Sequence, residues 1–528
     1  MSGNKSSLRL VLGILLLYVL PILACNFPFP KRSPGQTIDL QNTLPAMAIQ
    51  RPEAETPVPD HEGDLSSKVE DLTPIAQADI TSVQRPEPPI LDADGNYYTY
   101  QSQPGDTLLA VARRFGVESS QILTSEPLHE GILLSPGTEL VIPNQLGDPG
   151  YAKYLLPDSE VVNSPSVLTL NIEEFISDCG GYLNDHQEMV NGRWMSGVEI
   201  LTKVSFENSI NPRLLLALIE MRSGWVYGDL ADSEQLAYPL GFYVPDYKGL
   251  YYELVLTATH LGVGYYGWRS GDKVSLSFQD GEWLRLAPGL NPGTVAIQTM
   301  LSKISTRDEW QRILYDDNEF SELYTRMFSD PWSRAANSVT LLPADLAQPE
   351  LELPFLPGER WSFTGGPHRS WNAGSPRGAL DFSPVTGEPA CTTSRAWVTA
   401  SAPGVITRVG DNVLALDLDG DGHEQTGWVL VYLHIVTEGD TFVGKSVAAD
   451  DQIGHPSCER GNSTGTHVHI ARKYNGEWIP AGEPIPFTLG GWETQVGERY
   501  YQGSLTKGER TIIANPGGPS SSLIIRGD

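Results

Sequence analysis

Residues 465–470 read Gly465-Thr466-His467-Val468-His469-Ile470, two histidines one residue apart in an apolar, β-branched run. Val and Ile favour strands, and alternate side chains of a strand share a face. His467 and His469 therefore point the same way. Two imidazoles aimed at one spot suit a metal centre, one binding the metal and the other handling a proton or an oxyanion. A plain surface strand that carries two histidines is the other reading, and the pair alone leaves both open.

The surroundings extend the pattern. Residues 359–486 alternate short runs of Val, Ile, Leu, Tyr and Trp with Gly, Pro, Asp and Asn, which reads as a β-rich domain. Strands are expected over 398–409, 413–418, 428–435 and 466–473. Three further features precede the paired histidines: Gly365-Gly366-Pro367-His368, then Ala379-Leu380-Asp381-Phe382, then Tyr432-Leu433-His434. By itself His434 would read as a core histidine at a strand end.

This order of motifs resembles the lysostaphin-type (LytM-type) zinc endopeptidases, antiparallel β-sheet enzymes that cut the peptide part of bacterial walls. The resemblance covers about 120 residues. It implies that His368, Asp381 and His469 bind one catalytic zinc, leaving an open position for water. His434 and His467 are the catalytic pair it implies, a base for the attacking water and donors to the tetrahedral oxyanion. Most members hold the first histidine and the aspartate four residues apart. Here His368 and Asp381 are further separated, an arrangement similar to the staphylolysin-like members. The looped-out segment Arg369–Gly378 would then stand at the cleft rim and shape substrate choice.

Cys391 and Cys458 both fall in this domain, and a disulfide between them is expected if the chain is exported. Asp417, Asp419 and Asp421 echo the first half of an EF-hand loop, but Trp428 stands where the bidentate glutamate belongs. An acidic hairpin turn and a Ca²⁺ site both remain readings of it. His455, in Gly454-His455-Pro456, reads as a turn residue. The extension 487–528 should pack on the catalytic domain and then fray.

Upstream, residues 166–345 have helical character. Asn211-Pro212 and Asn291-Pro292 are helix starts, and further helices are expected at 197–208, 249–261 and 308–328. The runs "INPRLLLALIEMRSGW", "YPLGFY" and "YYELVLTATHLGVGYYGW" resemble the lysozyme-like lytic transglycosylases, which implies an all-α domain. That family's acid is a glutamate directly before the serine that ends the helix. Arg222 occupies that place, and an arginine cannot protonate a leaving oxygen. Glu220 lies two residues earlier, rotated by about 200°. A glycan-binding or spacer role is the first expectation, with Glu220 as a displaced acid the second. Cys179 has no evident partner and reads as a free thiol.

Residues 97–144, with "PGDTL", "ARRFGV" and "PGTELVIP", resemble a LysM module of βααβ order. That implies glycan binding through Gly105, Asp106, Thr107 and Leu108, opposite Leu133-Leu134. Linkers are expected at 145–165 and 346–358. Residues 26–95 are acidic and Pro-rich, a disordered tether. Residues 1–25 carry Lys5, Arg9 and an apolar run ending at Cys25. Ile22-Leu23-Ala24-Cys25 resembles a bacterial lipobox, which implies lipidation of Cys25; an uncleaved anchor and a plain secretory signal are the alternatives, and all three export the protein.

At 528 residues and a formal net charge of −29, the chain is a multidomain protein poorly suited to nucleic acid. The expected whole is a lipid-anchored zinc endopeptidase of the cell envelope that hydrolyses peptidoglycan and is targeted by its LysM module. The rival is a wall-binding lipoprotein that scaffolds another hydrolase. Both take peptidoglycan as partner, and the membrane through the lipid.

Overall fold

The structure, a computed structural model, describes residues 85–146, 150–461 and 463–527. Cys25 and most of the expected tether lie outside them. Among the described residues no helix is long and apolar enough to cross a membrane.

The N-terminal region has strand Tyr97–Gln101, helix Leu108–Phe115 and strand Glu139–Pro143. The two strands are antiparallel, Tyr97 opposite Pro143. Thr107 caps the helix by accepting from Ala110 N, and Gly116 ends it in the left-handed region. The second expected helix is only a 3₁₀ turn, Ser119–Gln121.

In the helical region the Asn211-Pro212 signal holds. Asn211 accepts from Arg213 N, and the helix Pro212–Ser223 closes on left-handed Gly224. Its apolar run Leu214–Ile219 is wholly buried, as a helix apolar nearly all round must be. Helices Gly197–Asn208 and Glu319–Phe328 pack against it, and Leu250–Arg269 packs on Pro292–Ser302. The region is not all-α. Hairpins Gln187–Ser196 and Ser275–Arg285 interrupt it, each too short for its periodicity to stand out. The expected helix 308–328 divides into Arg307–Gln311, a π turn and Glu319–Phe328.

The C-terminal region is built on an antiparallel nine-stranded sheet. Its central order is Gly404–Gly410, Val413–Asp417, Trp428–Leu433, Val468–Tyr474, Arg377–Pro384, Arg360–Arg369. Along Val468–Tyr474 the faces alternate. Val468 and Ile470 enter the domain's own core. Ala471 faces the other way, into a core shared with the helical region that also takes in Val413, Ala415, Val431, Leu201 and Tyr265.

Both expected linkers carry core residues. Leu155, Leu156 and Val161 are buried in the helical region, and Leu351, Leu353 and Phe355 in the sheet region. Apolar side chains within Pro-rich stretches dominate over the breaker signal there. The C-terminal extension does not fray either. Leu523–Ile525 pairs with Arg360–Ser362 at the sheet edge, and Ile524 is fully buried.

Candidate metal centre

The separation between His368 and Asp381 is a β-hairpin. Strands Arg360–Arg369 and Arg377–Pro384 run antiparallel, with Gly365 opposite Asp381 and His368 opposite Ala379, and the register shifts on both sides of His368. Those irregularities re-aim a side chain that strict alternation would send elsewhere. Asp381 lies directly opposite His469 on the next strand. Gly365 leaves room for the carboxylate: a Cβ there would stand 2.3 Å from Asp381 Oδ2.

Three ligand-type atoms therefore meet. His368 Nε2 lies 3.0 Å from His469 Nδ1. Asp381 Oδ1 lies 3.2 Å from the first and 3.3 Å from the second. The opposite ring nitrogens face carbonyls: His368 Nδ1 faces Gly366 O at 2.9 Å and His469 Nε2 faces Ser370 O at 3.1 Å. A carbonyl only accepts, so each of those nitrogens carries the hydrogen. In the neutral rings the facing nitrogens are then both lone pairs, beside a buried carboxylate oxygen that lacks a hydrogen-bond donor among the described residues. Three acceptors converging in a buried site repel one another unless a cation joins them. Two imidazoles and one carboxylate form the donor set of a zinc site with an open position, and the carbonyls hold the rings as such sites require. The residues fit zinc.

His434 and His467 flank this point, their rings 4.5 Å apart. His434 Nδ1 donates to Glu459 O (2.9 Å) and His467 Nδ1 to Gly465 O (2.7 Å), so Nε2 is the acceptor in the neutral form of each ring. Burial, with the His467 and His469 rings close by, pushes His434 down to about 3, which keeps it neutral at physiological pH. Burial alone would raise Asp381, but positive charge where His368 and His467 face it brings it well below the usual carboxylate range. The five sequence-predicted residues thus come together. Several contributors lacked a sequence signal: the Ser370, Gly366 and Glu459 carbonyls, and Tyr501, stacked on His368 at 4.2 Å. Tyr501 comes from the C-terminal extension.

The remaining candidates separate from this centre. Cys391 and Cys458 are bonded, which ties the loop before the His469 strand to the loop that follows strand Arg377–Pro384. Asp417, Asp419 and Asp421 do cluster, but Asp417 accepts from Asp419 N and Gly422 N, and Asp421 from His423 N. That is an acidic hairpin turn closed on its own backbone. His455 lies on the short strand Gln452–Pro456, not in a turn, and meets Glu438 and Trp397. Glu220 accepts from Val226 N and Tyr227 N, bracing a loop. Cys179 is free and half-buried.

The expected sugar groove is closed. Asp106 is 1% exposed, paired with Arg114 at 2.6 Å and accepting from Tyr100. Leu108 is buried. Gly105 abuts Arg269 and Leu342, Thr107 bridges to Leu133, and Leu133 packs on Leu342, Ile479 and Ile485. The apolar character expected to meet sugar is spent on packing between regions.

Residues 154–343 match the family described as LasA, N-terminal domain, where the sequence motifs pointed to lytic transglycosylases. Over 293 residues the chain is 26% identical to protease LasA of Pseudomonas aeruginosa PAO1, covering 51% of this chain and 64% of the relative. The protein of strain UCBPP-PA14 matches equally. The chain spans less than two thirds of the length of these relatives. Among solved structures, similarity extends to the deep-sea M23 metalloprotease pseudoalterin (23% identity, TM-score 0.27, 32% of this chain and 96% of that one). It extends also to the catalytic domain of lysostaphin from Staphylococcus simulans (24%, TM-score 0.17, 23% and 89%). The chain is homologous, at modest identity, to LasA-like metallopeptidases of the M23, or lysostaphin, type.

Proposed function

We propose that this chain is a zinc-dependent endopeptidase that hydrolyses peptide bonds of bacterial peptidoglycan. The observation that carries the reading is the convergence of His368, Asp381 and His469 at one buried point, with the imidazoles of His434 and His467 beside it. A zinc held there lowers the pKa of a bound water and polarises a carbonyl. His434 and His467 both line the cleft with Nδ1 held by a carbonyl, so the Nε2 of either neutral ring can take a proton from an attacking water and then donate to the oxyanion. Asp381 stays ionised beside the rings and supplies the negative charge of the ligand set. The absence of an HExxH glutamate is consistent with histidine as the base.

Export, lipid anchoring at Cys25 and wall targeting by residues 97–144 complete the proposal. Burial of Asp106 and Leu108 argues that any wall contact by that module uses a face other than residues 105–108. Pull-down on purified peptidoglycan, with and without residues 97–144, tests the targeting.

For the reaction, the full chain should hold one equivalent of zinc by metal analysis and release soluble peptides from purified peptidoglycan. His469→Ala should lose both zinc and activity. His467→Ala should keep zinc while activity falls by about two orders of magnitude or more, the usual contribution of general acid–base catalysis. A folded, zinc-free wild type that releases nothing would support the scaffold reading instead.

A further inference from the structure

The cleft at the metal centre, about 340 Å³, is lined by residues of the sheet region and its C-terminal extension alone. His368 and Arg369 both line it, although neighbours on a regular strand point to opposite faces. The register shifts between the two residues, and such an irregularity lets both side chains reach one side. Asp381 is the one carboxylate in the lining, and it is turned to His368 and His469. Arg369, half-buried, is the one guanidinium there.

No acid among the described residues pairs with this cation, and its buried Nε has no acceptor among them. The Arg369 guanidinium carbon lies 5.1 Å from the centre of the Tyr500 ring, and that of Arg377 lies 5.2 Å from the same ring. Arg377 is otherwise employed: it donates to the carbonyls of Pro367, Gly497 and Arg499 and so braces the C-terminal extension. Stacking on Tyr500 orients Arg369 and leaves its fork of donors for a group that enters the cleft. A buried donor without an acceptor is destabilising until one arrives.

We propose that Arg369 is a specificity residue that binds a carboxylate of the substrate peptide close to the scissile bond. The proposal rests on the peptidase reading and deepens it. A guanidinium presents paired N–H donors at the spacing of two carboxylate oxygens, and charge-assisted bonds of this kind are stronger than neutral ones. An amide in the same place offers one acceptor oxygen, and its NH₂ meets the guanidinium donor to donor. The chain carries a formal net charge of −29, which repels an anionic peptide in general, so a carboxylate is held in the cleft only by a local cation. Wall peptides offer carboxylates of two kinds, at a free C-terminus and on an acidic side chain, and the same fork suits either.

The test uses the full chain and three synthetic wall peptides that differ only in amidation: one with a free C-terminus, one with a free acidic side chain, and one amidated at both places. Calorimetry on zinc-stripped protein measures binding without turnover, and kinetics on the zinc-loaded protein give kcat/KM. The wild type should prefer a carboxylate peptide to the doubly amidated one by about tenfold or more, the weight of a hydrogen bond to a charged group. Which carboxylate peptide it prefers identifies the source. In Arg369→Gln, at unchanged zinc content, that preference should fall close to one. Arg369→Lys, which keeps the charge but not the fork, should retain part of it. A wild type that binds and cleaves all three peptides alike would overturn the proposal, whether or not the variants fold. So would an Arg369→Gln protein that keeps the full preference. If the wild type selects a carboxylate through Arg369 yet cleaves none of the peptides, the carboxylate site stands and the peptidase reading falls.

Discussion

Gly365 has no side chain because Asp381 occupies the space one would fill, its Oδ2 within 2.3 Å of where a Cβ would stand. Gly365→Ala must therefore push the carboxylate off the point where His368 and His469 meet. The expected outcome is weaker zinc retention against a chelator, by about tenfold or more as for other changes that disturb ligand orientation. Competition with a chromophoric chelator measures it. Glu253 shows a different constraint. It is fully buried, accepts from Leu240 N and Phe242 N, and is pushed up to about 7 by burial, against the pull of those donors. The folded state therefore prefers the protonated acid. Its stabilisation is complete below the unfolded pKa, near 4.5, and is lost as pH rises through 7. Glu253→Gln, neutral at every pH, should flatten the stability profile across that window, which thermal unfolding from acid to mildly alkaline pH would show.

At the scale of elements, the loop Ser457–Gly461 is held from several sides. Ser457 N donates to His434 O, Cys458 is bonded to Cys391, and Arg460 pairs with Glu207 while covering Trp371. Glu207 in turn holds Lys203. It is buried, which would raise it, but Arg460 and Lys203 bring it down to about 2. Its contribution is present above the unfolded pKa and disappears as pH falls toward 2. Glu207→Gln leaves two cations facing a neutral amide and should cost about 3 kcal/mol, as breaking a buried pair does. Because Glu459 O orients His434, kcat should fall while zinc content holds. Denaturant unfolding and metal analysis read the two effects separately. The segment Arg369–Gly378 behaves comparably. Rather than a free rim, it is a hairpin tip clamped on the helical region by Asn372 and by Gly374, which sits against Thr259 and Gly262. Its Ser370 carbonyl orients His469.

For the whole molecule, the sheet and helical regions share a core. Val413, Ala415, Val431 and Ala471 lie in it, and Tyr266 Oη accepts from the backbone N–H of Trp478. A fragment beginning at residue 359 would expose that face and also lack Leu351, Leu353 and Phe355. Such a fragment should be less stable than the full chain and bind a hydrophobic dye such as ANS. Equal thermal stability and no dye binding would count against the shared core as a determinant of the fold. Cleavage of the connector between the regions, by the same reasoning, should leave the two pieces associated on gel filtration.

The metal centre was legible in the sequence residue by residue. His467 and His469 share a face because strand periodicity is local, and the Asn211-Pro212 helix start and left-handed Gly224 are likewise local effects of capping and backbone freedom. The nature of the 369–378 insertion as a hairpin tip was not legible, because pairing of Gly365 with Asp381 is a long-range register. Nor were the burial of Asp106 and Leu108, the core residues of both supposed linkers, or Tyr501 on His368. An apolar or aromatic side chain in sequence states only that it prefers burial. What covers it depends on which surfaces the folded regions bring together. The sequence by itself determined which groups could hold a metal. The tertiary structure decided that three of them meet at one point, and that the helical region shares a core with the sheet that carries them.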